Sequence, residues 1–106
     1  MKRKFRPFDA ETIRKEIMSL PAEDHKRLTV AMKAYQMGLG VGYQIKSYNS
    51  GIEMITDSGN SQGRCIYFTR AADELIVLVV YKKESDKAPR AILKLAKQRR
   101  DRFNAK

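Results

Sequence analysis

Residues 75–81 read Leu75-Ile76-Val77-Leu78-Val79-Val80-Tyr81, seven apolar or aromatic side chains in an unbroken run. A strand with one wet face alternates apolar and polar residues. A continuous run of this length predicts a strand covered on both faces, so it is expected to be the central strand of a sheet. Upstream, Ala71 to Glu74 forms a tight connection to another strand, Arg64 to Arg70. Ser58-Gly59-Asn60-Ser61 marks Asp57 to Gly63 as a loop. Before it, Ile52 to Thr56 and Tyr43 to Tyr48 read as strands, separated by the turn Asn49-Ser50-Gly51. The pattern is an antiparallel meander.

The helices lie outside this block. Ile92, Leu95, Ala96, Arg99 and Phe103 recur at helical spacing, which predicts a last helix starting at Ala88 or Pro89 after the polar segment Lys82 to Pro89. On the N-terminal side, Gly38, Gly40 and Gly42 close a helix whose buried stripe is Leu28, Met32 and Tyr35 with Ala31 beside them. An earlier helix carries Ile13, Ile17 and Leu20, with Asp9 as its N-cap. Pro21 ends that helix and suits the first turn of the next. Lys4-Phe5-Arg6-Pro7-Phe8 alternates, which suits a short strand. Pro7 lacks an N–H, so this strand belongs at a sheet edge or ends there. The expected order is β-α-α-β-β-β-α. That is an α+β domain over residues 1–106, with a helical hairpin and a C-terminal helix packed on a small antiparallel sheet.

Charge is distributed unevenly. The 106 residues carry 22 Lys and Arg against 12 Asp and Glu, a net +10. Residues 1–6 hold four basic side chains, residues 7–81 hold 8 basic and 9 acidic, and residues 82–106 hold 10 basic and 3 acidic. If the two ends meet in space they make one cationic face, which favours an anionic partner, most readily nucleic acid. One cysteine excludes an intrachain disulfide and a thiol-rich zinc site, and one histidine leaves no metal-ligand pattern. No cofactor is expected. No apolar run reaches the ~18 residues a membrane span needs. Met1-Lys2-Arg3-Lys4 is positive but lacks the apolar segment of a secretory signal. A cytoplasmic protein is expected.

Four segments carry a resemblance. Leu20-Pro21-Ala22-Glu23, Gly51-Ile52-Glu53-Met54-Ile55, Arg64-Cys65-Ile66-Tyr67 and Tyr81-Lys82-Lys83-Glu84-Ser85-Asp86-Lys87-Ala88-Pro89 occur in this order across residues 20–103. In order and spacing they resemble the RelE/HigB/ParE superfamily of toxins from bacterial type II toxin–antitoxin modules, closest to its HigB-like, phage-derived toxin-like branch. The resemblance implies a metal-independent endoribonuclease that cleaves messenger RNA on the ribosome. Its implied partners are the ribosome, messenger RNA and a cognate antitoxin, expected to be a helix-turn-helix protein. In that chemistry the RNA's own 2′-hydroxyl attacks the neighbouring phosphate. This requires a base, cations at the crowded phosphate and an acid for the leaving 5′-oxygen.

Arg64 matches the family's Arg-x-x-Tyr arginine, and a guanidinium can hold two phosphate oxygens at once. Either Lys82 or Lys83 matches a basic catalytic position. Neighbouring strand residues face opposite sides, so only one enters the site; alignment selects Lys83, and a one-residue slip would select Lys82. Tyr81 and Tyr67 are candidates for stacking on bases or donating a phenol proton. Lys87 and Arg90, at the start of the last helix, suit a phosphate. Lys46 is expected at the RNA backbone, and Arg99, Arg100 and Arg102 at ribosomal RNA, with Arg99 alternatively lying along the apolar stripe. His25 and Cys65 read as packing residues. Where the family has Glu-Leu-Arg, this chain has Glu53-Met54-Ile55, which implies one lost site cation; Glu53 is a candidate general base. Two other readings stand beside the nuclease: a ParE-type gyrase poison, and a non-catalytic basic nucleic-acid-binding module.

Overall fold

A computed structural model of the protein describes residues 3–84 and 90–105. Strand β1 (Lys4–Pro7) leads into helices α1 (Ala10–Met18) and α2 (Ala22–Gln36). Strands β2 (Gln44–Ser47), β3 (Ile52–Thr56), β4 (Gly63–Ala71) and β5 (Glu74–Lys82) follow, and helix α3 (Arg90–Asn104) closes the chain. All four extended segments after Gly42 are strands, so the order is β-α-α-β-β-β-β-α, one strand longer than the expected string. The α+β class and the helical hairpin are as expected.

The five strands lie in the order β1-β5-β4-β3-β2. β2 to β5 form the antiparallel meander, but β1 joins β5 in parallel, with Phe5 opposite Leu75 and Pro7 opposite Val77. The sheet is therefore mixed. β1 pairs on one side only, which accommodates a proline. β5 is covered on both faces as its apolar run requires, with Leu75 to Val80 all buried.

Alternation along the strands sends two sets of side chains to two cores. Ile55, Cys65, Tyr67, Leu75, Val77 and Val80 pack with Ile13, Leu20 and Leu28 of the hairpin. Ile52, Ile66, Phe68, Ile76, Leu78 and Val79 pack with Ala96 and the apolar stripe of α3. The hairpin and α3 thus sandwich the sheet. Asp9 caps α1 as expected, accepting from Thr12 N–H at 2.9 Å. Pro21 occupies the N-cap of α2 rather than its first turn. The Cys65 thiol is buried, and burial raises its pKa, with Glu16 nearby adding to the effect; it is a packing residue, as its sequence context suggests. No helix among the described residues is long and apolar enough to cross a membrane.

β1 is shorter than β5. Beyond Pro7, Phe8 N–H donates to Val77 O at 2.9 Å, and among the described residues no strand then lies beside the outer edge of β5. Side chains take over: Arg99 Nη1 donates to Leu78 O at 2.9 Å, and Val80 N–H donates to Glu16 Oε1 at 2.9 Å. Glu16 and Arg99 are themselves 2.7 Å apart.

Candidate functional site

The site is built where β2 to β5 end beyond the cover of α3. Arg64 lies directly opposite Tyr81 on β5. With Ile55 opposite Cys65, the next β3 residue, Thr56, falls beside Arg64, and Gln44 of β2 lies opposite Thr56. Opposed residues share a face. Gln44, Thr56, Arg64 and Tyr81 therefore project to one side, joined by Lys46, Met54 and Lys83 two residues along their strands. Together they line a cavity of about 190 Å³. That is small beside the roughly 300–1,000 Å³ of drug-sized pockets, and it suits a phosphate or a single base.

Arg64 is held through one nitrogen. Its Nη1 donates to Thr56 Oγ1 at 2.7 Å, Ser61 O at 2.8 Å and Gly63 O at 3.0 Å. Thr56 Oγ1 in turn donates to Gly63 O at 3.0 Å. These acceptors are all neutral, so the positive charge is oriented without being cancelled. The β3–β4 loop that supplies two of them is tied down. Ser61 Oγ donates to Asp57, Gln62 N–H donates to Asp24 Oδ1 at 3.1 Å, and Arg27 lies 3.8 Å from Asp57. The close approach of this loop to α2 explains the glycine that opens β4: a Cβ on Gly63 would sit 3.1 Å from Asp24 O. Lys83 is fixed from the other side, its N–H donating to Gln62 O at 2.7 Å.

Tyr81 is half-buried, and its hydroxyl lies 3.5 Å from Met54 Sδ. Burial pushes its pKa up to about 12; the Tyr48 phenol adds to the rise and the Arg64 charge opposes it. At neutral pH it is a protonated donor. Lys46 Nζ stands 5.4 Å from the ring centroid of Tyr48, at the outer lip. A second, polar cavity of about 330 Å³, with Asn60 and Gln62 on its wall, shares Arg64 and Lys83 with the first. The pair of cations thus sits between an aromatic hollow and a hydrogen-bonding one.

A family model described as Phage derived protein Gp49-like (DUF891) matches residues 15–101. The chain belongs to the phage-derived Gp49-like family. This is a RelE/toxin-like family. No curated protein matches the chain. The Gp49-like match runs from the end of α1 into the last turns of α3, so every residue of both cavities falls within it.

Of the residues singled out from the sequence, this Gp49-like fold brings Arg64, Lys83, Tyr81 and Lys46 to one cavity. Lys82 faces the other side of the sheet and is exposed. Tyr67 does not line the cavity. It is 0% exposed in the hairpin-side core, edge-on to Phe5 at 5.3 Å between ring centroids, and burial raises its pKa. Arg99 lies outside this cavity and is committed to Glu16, Leu78 O and the ring of Phe8, 5.0 Å away. Arg100 is largely turned inward and bonds Ser50 O, bracing the β2–β3 turn against α3. Arg90 and Arg102 are exposed on α3, and neither lines the two cavities. Lys87 lies outside the described residues.

Three further expectations change. Glu53 points to the hairpin side, where Ser47 Oγ donates to it at 3.2 Å, so it is not a base for this cavity. Ile55 is 0% exposed on that same side, so the cation absent at this position is not absent from the pocket. The β3 positions that face the pocket are Met54 and Thr56. The N-terminal arm does not join the site either. Lys4 lies opposite Glu74 at the start of β5, whereas Lys83 follows its end, and Arg3 and Arg6 bond Tyr35 and Glu74.

Sequence reasoning passed over Thr56 and Glu16. Thr56 becomes visible only once register places it beside Arg64. Glu16 carried a signal: it falls three residues after Ile13, on the apolar stripe of α1, where a carboxylate needs a partner.

Proposed function

We propose that this Gp49-like chain is the toxin of a bacterial type II toxin–antitoxin module, of the HigB-like kind, and that it cleaves messenger RNA without a metal. The single observation that supports this reading is that Arg64 and Lys83, far apart in sequence, face one cavity together with the protonated Tyr81, which lies on β5 opposite Arg64.

The chemistry follows from the groups. Arg64 grips the non-bridging oxygens of the phosphate and keeps its charge as the phosphorus becomes five-coordinate. The 2′-oxygen forms a bond to phosphorus while the bond to the 5′-oxygen breaks, giving a 2′,3′-cyclic phosphate and a free 5′-hydroxyl. The 2′-hydroxyl proton passes to solvent water, Lys83 holds the charge that builds on the phosphate as a second cation, and Tyr81 supplies a proton to the departing 5′-oxygen. Lys46 holds the neighbouring backbone and Tyr48 stacks on a base. On this reading the partners are messenger RNA, the ribosome and an antitoxin that restrains the activity.

Induction of the protein in a bacterial host tests the proposal. Wild type is expected to arrest growth and fragment transcripts, and Arg64→Ala combined with Lys83→Ala to relieve both. Lys82→Ala is expected to behave as wild type. Arrest with intact transcripts and damaged DNA would replace the nuclease with a gyrase poison. No arrest, with RNA binding retained, would leave a binding module.

A further inference from the structure

We propose that Glu16 and Arg99 are positioning residues that set the phase of β5, and so decide that Lys83 rather than Lys82 faces the cavity. The role of Lys83 in RNA cleavage rests on the function proposed above; the phase assignment does not.

The argument begins with a β-bulge. Along the β4–β5 ladder Val79 lies opposite Ile66, but the next pair is Val77 opposite Tyr67, so Leu78 is an extra residue. Leu75 and Val77 face the hairpin core, and Ile76 faces α3. Strict alternation would continue with Val79, Tyr81 and Lys83 toward the hairpin and Lys82 toward the α3 side. Instead Leu78 and Val79 both pack on the α3 side, Val80 returns to the hairpin core, and everything beyond is inverted. Tyr81 and Lys83 reach the cavity only because of that one extra residue.

The Glu16–Arg99 pair grips the bulge at the two groups that mark it. The edge groups that β5 shows to β1 and its continuation come from Asp73 O and Val77 O. In an unbroken ladder the outward groups would continue at Val79 and Tyr81. In the bulged strand they are Leu78 O and Val80 N–H, and these are the groups taken by Arg99 Nη1 and Glu16 Oε1, each at 2.9 Å. The two side chains are locked at 2.7 Å, with 14% of Arg99 and 22% of Glu16 exposed. Slipping β5 to the regular phase would withdraw both backbone partners and strand a half-buried ion pair. The pair comes from opposite layers, Glu16 from the hairpin and Arg99 from α3, so both layers must be docked before the phase is fixed.

Amine acetylation read by mass spectrometry follows the phase directly. In wild type, Lys82 is expected to react several-fold faster than the half-buried Lys83, and a short 2′-O-methylated RNA, which cannot be cleaved, to slow Lys83 but not Lys82. Glu16→Ala is expected to abolish or invert the RNA-free order, while Glu16→Gln, which keeps an oxygen for Val80 N–H, retains it. A folded Glu16→Ala protein with the wild-type order and Lys83 still protected would overturn the proposal. If circular dichroism shows Glu16→Ala unfolded, Arg99→Met is labelled in its place; if that also fails to fold, the pair serves the fold and not the phase, which equally overturns it. RNA that protects neither lysine of the wild type, with the RNA-free order as expected and lost in Glu16→Ala, would support the phase lock and remove the RNA reading.

Discussion

Arg64 and Arg99 both sit partly buried against the sheet, one at the open end of β4 and one at the edge of β5. They are held in different ways. Arg99 gives its charge to a carboxylate, Glu16, 2.7 Å away. Arg64 donates to a hydroxyl and two carbonyls, and among the described residues no carboxylate pairs with it. A guanidinium neutralised inside the protein is a structural tie; one oriented by neutral acceptors keeps its charge for a ligand. The same residue type against the same sheet therefore has two jobs, and the partner distinguishes them.

Substitutions can break this contrast. The most severe is an arginine with neither kind of support. Ile55→Arg, on the fully buried hairpin side, is expected to cost more than about 3 kcal/mol in urea denaturation, with no gain in cleavage. A stable variant that cleaves faster would return position 55 to the site. Next come the two arginines themselves. Arg99→Ala leaves Glu16 half-buried without its partner and is expected to cost about 3 kcal/mol. Arg64→Ala is expected to cost under about 1 kcal/mol of stability but to slow cleavage on the order of 10²- to 10³-fold. Similar stability losses at both positions would erase the distinction.

Tyr81→Phe sharpens the picture at smaller cost. It keeps the ring and removes the donor, so cleavage should fall about 10²-fold with the melting temperature little changed. The ultraviolet titration of wild type minus Tyr81→Phe should show a phenol ionising at about 12 rather than at the ordinary 10.0.

The smallest effect belongs to an exposed pair at the far end of β5. A hydrogen bond from Arg6 is the main reason the Glu74 carboxyl is held below its ordinary value, with the Arg6 and Arg70 charges assisting and partial burial opposing. A lowered acid stabilises the fold in its charged form. The contribution is therefore complete above the ordinary carboxylate pKa and disappears as pH falls through the lowered one. Arg6→Ala should lower the melting temperature slightly at neutral pH and not at all in acid; an equal loss in acid would show that the contact is not electrostatic.

Much of the fold was legible because it depends on local patterns. The apolar run ending at Tyr81 could only be a strand covered on both faces. Asp9, Pro21 and Gly38 punctuated the helices by their own backbone chemistry, Gly38 taking a positive φ just past the C-cap of α2. Arg64 and Lys83 were found through motifs, and the structure puts them in one cavity. The errors share a cause. Tyr67, Arg99, Glu53 and Ile55 were judged by residue type or motif, while the deciding fact was tertiary: the side of the sheet that Tyr67, Glu53 and Ile55 face, and for Arg99 of α3 the Glu16 carboxylate beside it. The sequence marks Asp57 to Gly63 as a loop but does not show how that loop is held before Arg64. Asp24 and Arg27 of α2, which tie it down through Gln62 N–H and Asp57, lie far before it in the chain.

The sequence alone determined the elements, their order to within one strand, and the concentration of positive charge at the two ends. These follow from periodicity, capping and composition, each readable within a few residues. Tertiary structure decided that the N-terminal arm lies away from the cavity, that β1 joins in parallel, and that Lys83 and not Lys82 shares a face with Arg64. Strand faces alternate with a period of two, so one extra residue at Leu78 reverses every side chain after it. Whether a strand admits that residue depends on groups at its edge, supplied here by Glu16 and Arg99, 83 positions apart in the chain.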